Sequence, residues 1–92
     1  MSWKEVPLQI GEHVFLRGIT HHYVGELVNK TDNWLVLKKA AWVPDDGRFA
    51  DFLKTGVAEE FEPYPDETAV IISVDVICDI SVWPFALPVK QK

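Results

Sequence analysis

One stretch constrains this chain more than any other: AVIISVDVICDISVW, from Ala69 to Trp83, in which every even position from Val70 to Val82 is apolar. Val70, Ile72, Val74, Val76, Cys78, Ile80 and Val82 fall on one side of an extended backbone, and Ser73, Asp75, Asp79 and Ser81 fall on the other. A helix would scatter that set around its axis, so the run predicts β-structure with one buried face. It is longer than the usual strand of about 5–6 residues. It therefore predicts two strands joined by a bend at Ser73–Asp75, or one strongly curved strand. Pro84 and Pro88 end regular structure.

The preceding chain supplies three more strands. HVFLR, after Gly11, is short and rich in aromatic and branched residues. Residues 18–22 turn the chain into YVGELVN, whose Gly25 predicts a sharp bend or a close backbone approach. A polar turn, Lys30-Thr31-Asp32-Asn33, leads to WLVLKKAAWV. Pro44 ends that strand, and Phe49, Phe52 and Leu53 then stand at i, i+3 and i+4, which predicts a short helix over residues 46–55. Asp45 or Asp46 is expected to cap it, Gly56 to close it, and Phe52, Leu53 and Val57 to pack at its inner side. EEFEPYPDE, acidic and broken by prolines, reads as a loop. The expectation is a mainly β, five-stranded, strongly bent antiparallel barrel of the SH3-like or OB-like kind, with one short helix inserted between strands 3 and 4. It is one domain over residues 1–92, with a core over 11–83 and a tail over 84–92.

Composition excludes several classes of function. The single cysteine, Cys78, permits neither an internal disulfide nor a cysteine-based zinc site. No apolar run approaches the roughly 20 residues of a membrane span, and MSWKEVPLQIG has no signal region. The expected location is cytoplasmic, with no membrane partner. The net charge of −5 is uneven: residues 1–43 carry five bases against four acids, residues 44–83 two against ten. That acidic half disfavours broad nucleic-acid binding, which depends on neutralised phosphates.

No catalytic constellation is visible. Ser73 and Ser81 lack a placed histidine, the acids have no EF-hand spacing, and there is no phosphate-binding glycine loop. His21 and His22 are adjacent, so on a strand they point opposite ways and read as exposed loop residues rather than metal ligands. The chain is expected to be no enzyme and to need no cofactor. Tyr23, Lys30, Asp32, Asn33 and Trp34, around a strand–turn junction, form the candidate ligand or RNA surface, with ordinary packing as the competing explanation. Four tryptophans and five phenylalanines are a heavy aromatic load for 92 residues and point to subunit contacts beyond the core.

VFLRGITHHYVGELVNKTDNWLVLKKA resembles the first motif of the Sm-like superfamily, which includes the LSm proteins and Hfq. Gly25 and Leu27 match its glycine–leucine pair, and Leu35, Val36 and Leu37 match its third strand. VIISVDVICDI resembles the second motif. The likeness spans about two-thirds of the chain. It implies an Sm-like barrel and a homo-oligomeric ring, in which the fourth strand of one subunit pairs with the fifth of the next. Stand-alone members with an altered RNA site are also similar to what phages encode. The family's RNA-binding residues do not carry over: Trp34 stands in the place of the asparagine, Lys30 or Thr31 in that of the aspartate, and Ile72-Ser73 in that of the arginine–glycine pair. Hfq's lysine–histidine signature is absent as well.

The leading expectation is a non-enzymatic ring acting as a scaffold or binding platform, with at most weak RNA binding. Its oligomer edge would be Val70, Ile72, Val76, Cys78, Ile80 and Trp83, since a long unguarded strand has to be covered. The alternative is a monomeric SH3-like adaptor for a peptide or protein.

Overall fold

The computed structural model describes residues 7–90. Residues 1–6 and 91–92, the two ends of the domain expected over 1–92, lie outside the described residues. The elements run β1 (His13–Gly18), β2 (His22–Lys30), β3 (Trp34–Asp45), α1 (Phe49–Thr55), β4 (Glu60–Pro63), β5 (Val70–Ser73), a 3-10 turn (Val74–Val76) and β6 (Ile77–Val82). Every strand pair is antiparallel, in the order β4-β3-β2-β1-β6, with β5 also pairing β3.

Two expectations need correction. Among the described residues there are six strands rather than five, because EFEP pairs with the second half of β3 (Ala41↔Pro63, Trp42↔Glu62) instead of looping. Its one proline, Pro63, is tolerated because an edge strand need not donate on its outer side. The second correction is that the sheet is not closed into a barrel: β5 pairs only with β3 and β6 only with β1, so the two never meet.

Both faces of the sheet are covered, which explains the aromatic load. Val14, Leu16, Leu27, Leu35, Leu37, Ala40 and Ile72 pack on one face. Phe15, Val24, Ala41, Val43, Phe52, Ala58, Phe61 and Trp83 pack on the other. β3 serves both because one residue breaks its pleat. Lys39 has φ +50°, and the β2–β3 register shifts there. Leu35 and Leu37 therefore face the first cluster, while Ala41 and Val43, also odd-numbered, face the second. Gly25 lies opposite this bulge. A Cβ on it would stand 3.1 Å from Ala40 Cβ and from Leu37 Cδ1, which is the close approach its place in a strand suggested.

Helix α1 is shorter than residues 46–55, and its N-cap is Arg48, with no side-chain cap bond. Asp45 instead accepts from the Gly47 N–H at 2.9 Å, stabilising the turn before it. Seven residues do not hold a helix alone in water. Phe52 anchors it, with ring centroids 5.2 Å from Phe15, 5.0 Å from Trp83 and 6.3 Å from Phe61. Burying that side chain contributes about 3 kcal/mol. Leu53 and Val57 do not join it: they are 43% and 56% exposed. Gly56, at φ +73°, closes the helix as expected, donating its N–H to Phe52 O at 2.8 Å.

The alternating run behaves as predicted only in part. Val70, Ile72 and Val74 turn inward, and then the 3-10 turn resets the phase. That turn is held by Val74 N–H to Asn33 O (3.0 Å), Ile19 N–H to Val76 O (3.0 Å) and Asp75 N–H to Ser73 Oγ (3.3 Å). Val76, its last residue, and Cys78 beyond it are exposed, and Ile77 packs on the core in their place.

Candidate functional site

Three strands, β4, β5 and β6, have a strand on one side only among the described residues, and register shows which groups β5 and β6 present on the other. Val74 N–H bonds Asn33 O in line with the pairs Leu35↔Ile72 and Leu37↔Val70, so those residues point their backbone groups at β3. In an antiparallel ladder the orientation alternates, so Ile71 and Ser73 point theirs away, along the open edge of β5. Trp83 N–H bonds His13 O, and Phe15 pairs with Ser81. By the same alternation Ile80 and Val82 present their N–H and C=O along the open edge of β6.

A cleft of about 260 Å³ runs beside the β5 edge. Ile71, Ile72 and Ser73 form one wall, the β1–β2 turn (Gly18, Ile19, Thr20, His21) forms another, and Leu16, Tyr23, Val76 and Ile77 complete it. The turn is tight: Gly18 N–H bonds His21 O at 2.9 Å, and a Cβ on Gly18 would meet that oxygen at 2.6 Å. Its tip leaves Ile19 70% exposed, facing Ile71 at 64%. Among the described residues no Asp, Glu, Lys or Arg lines the cleft, although the chain carries a net charge of −5. His21 is the one ionisable ring there besides Tyr23, and its Nδ1 lies 2.8 Å from Thr20 Oγ1. Tyr23, on the inner wall, has its pKa raised above the ordinary value by burial, and further by the neighbouring Tyr64, to which it is hydrogen-bonded.

The candidate ligand surface is divided by the fold. Lys30, Asp32, Asn33 and Trp34 come together at the β2–β3 turn, but Tyr23 lies seven positions back along β2, about 20 Å away at strand rise. The turn is organised from within by Thr31. Its Oγ1 accepts from Asn33 N–H and Trp34 N–H, both at 3.1 Å, and its own N–H bonds Trp34 O at 2.9 Å. Lys30 Nζ donates to Leu8 O at 2.7 Å, so that ammonium ties the chain ahead of β1 to β2. Trp34 is 48% exposed but stands on an open surface, outside the cleft.

The six edge residues also divide. Ile72 and Trp83 are buried in this chain's own two clusters, at 7% and 3% exposure, so Trp83 does not cover a joint and Ile72 offers only the part of its side chain that lines the cleft. Val70 and Ile80 are half-buried against the first cluster, while Val76 and Cys78 are exposed. The sequence reading missed Ile19, Ile71 and Ile77. Ile71 and Ile77 did leave a signal, as apolar residues at odd positions of a run whose other odd positions are polar.

The three histidines serve separate contacts. His13 Nδ1 is 3.1 Å from Phe85 O, His22 Nδ1 is 3.5 Å from Asp46 Oδ2, and His21 bonds Thr20. Arg17 pairs with Asp79 on the second face of the sheet and lies over the Phe49 ring at 5.6 Å. No described helix is long and apolar enough to cross a membrane. Comparison with protein-family models, with curated proteins and with solved structures returned no match.

Proposed function

We propose that this chain is a non-enzymatic scaffold of the Sm-like kind, which assembles head to tail into a ring of its own copies, β5 of one pairing with β6 of the next. One observation carries this reading: β5 and β6 each leave an unpaired edge free of proline, whereas β4, the third strand with an open edge among the described residues, ends in Pro63. Exposed edges of this kind recruit other chains, and pairing the two different edges with each other satisfies both without leaving a free end, provided the rotation closes. The strand order supports the small-barrel part of the reading. β1, β2, β3 and β5 are neighbours in sequence, once α1 and β4 are set aside as an insertion, and a 3-10 turn carries the chain back to β1 through β6.

RNA binding is weak or absent in this reading. The turn at Lys30–Trp34 is built on its own backbone bonds, and the residues that resemble a uridine site elsewhere are replaced here. Light scattering at micromolar concentration tests the assembly. The expected mass is a multiple of 10.5 kDa larger than a dimer. A mass of 10.5 kDa at every concentration overturns it, and would favour a monomeric SH3-like adaptor using the uncharged cleft for a peptide.

A further inference from the structure

The cleft is shaped as half of a contact. We infer that it is completed by Val82 of a second copy, whose β6 lies along β5; this rests on the assembly reading above and adds the side chain that fills the site. Val82 stands out within its own chain. It pairs across the ladder with Val14, which is fully buried, yet is itself 53% exposed. Paired residues share a face of the sheet, so Val82 lies on the face of Val14, Leu16 and Ile80 that builds the first cluster. Ile72, the inner residue of β5, belongs to the same cluster.

When a second copy's β6 continues the sheet beyond β5, one of its faces must meet the cleft. With the sheet faces continuous, that face carries Val82 and Ile80, and Val82 is the one with uncovered apolar surface. With the faces reversed, Asp79 and Ser81 would sit against Ile72 and Ile77, and the Asp79 carboxylate would be desolvated in an apolar wall away from Arg17. The first arrangement wins on that cost.

Size argues the same way. β5 has four residues, whereas a stable interface involves about 20–30 residues a side. A ladder on β5 alone falls short. The contact has to extend over the cleft and the exposed Ile19 and Val76 at its rim. The absence of ionised side chains there lets two chains of net charge −5 approach without like charges meeting.

The test compares wild type with Val82→Asp by light scattering, with circular dichroism to verify the fold. If wild type assembles and folded Val82→Asp falls to 10.5 kDa, the inference holds. If wild type assembles and Val82→Asp keeps the same mass, the inference is overturned while the assembly reading stands. If wild type is itself 10.5 kDa, both are overturned. A second measurement does not depend on the aspartate variant folding. On a Cys78→Ser chain, Ile72→Cys combined with Val82→Cys is expected to give a ladder of intermolecular disulfides on a non-reducing gel. Ile72→Cys with Ser81→Cys, which stands on the other face of β6, is expected to give none. A ladder from the Ser81 pair, or from neither, overturns the inference.

Discussion

The ring of Phe85 lies so close to Gly56 that a β-carbon on that glycine would stand 2.5 Å from its Cγ. Gly56 also ends α1 at φ +73°, so one residue both stops the helix and makes room for the tail to fold back over the second cluster. Gly56→Ala meets two costs at once: about 1–2 kcal/mol for a side chain in the left-handed region and about 1–3 kcal/mol for overpacking. The expected loss is about 2–4 kcal/mol in urea denaturation. A midpoint equal to wild type would mean that Phe85 does not sit on the helix end.

Neighbouring positions on α1 should respond very differently. Phe52 is fully buried among Phe15, Phe61 and Trp83, so Phe52→Ala is expected to cost about 3–5 kcal/mol. Leu53 is 43% exposed, and Leu53→Ala should cost less than about 1 kcal/mol. Equal losses from the two variants would place the helix in a different rotation about its axis.

The same pair shows how far this sequence could be read. Spacing located the helix and put Phe49, Phe52 and Leu53 on one side, but about two turns present too short a stretch for periodicity to say which of three apolar residues faces inward. The tertiary partners decided, and they come from β1 and the end of β6. The strands were legible wherever alternation ran unbroken, as over Val70–Val74. It failed where one residue changes the phase: Lys39 in β3 and the 3-10 turn after Ser73. A lysine gives no sign that it will adopt a positive φ, so the second covered face, and with it the work done by Trp83 and Phe85, was hidden. The short strand at Glu60–Pro63 was masked by Pro63 at its end and Pro65 just after it. The cleft was largely illegible because it joins a turn at residues 18–21 to a strand 50 positions later, and only the odd-position Ile71 hinted at it.

Tyr23 makes stability depend on alkaline pH. Its folded pKa is raised, first by burial and then by Tyr64, so the neutral phenol is the favoured form in the folded chain. The corresponding stability is fully present below the unfolded value of about 10 and is lost as pH rises through the higher folded value. Denaturation followed between pH 9 and 12 should show wild type losing stability more steeply than Tyr23→Phe. Parallel curves for the two would mean that the Tyr23 phenol is as well solvated in the folded chain as in the unfolded one.

Proline separates the edge from the ladder. Ile71 directs its N–H away from β3 and is 64% exposed, so Ile71→Pro removes a donor that no strand of the same chain uses. Ile72, one residue on, directs its N–H at β3 and is buried, so Ile72→Pro removes a ladder bond and a core side chain together. On the other edge Ile80 presents its N–H outward, whereas Ile77, the first residue of β6, donates its own to Val74 O and caps the 3-10 turn. Ile71→Pro is thus expected to keep the wild-type circular dichroism spectrum and melt cooperatively, yet to scatter light as a 10.5 kDa chain. Ile72→Pro should lose at least about 3 kcal/mol of stability. Ile80→Pro should fold and fail to assemble, with some loss of stability from its half-buried side chain, while Ile77→Pro should damage the fold itself. An Ile71→Pro protein that folds and assembles like wild type would show that the β5 edge is not where copies meet.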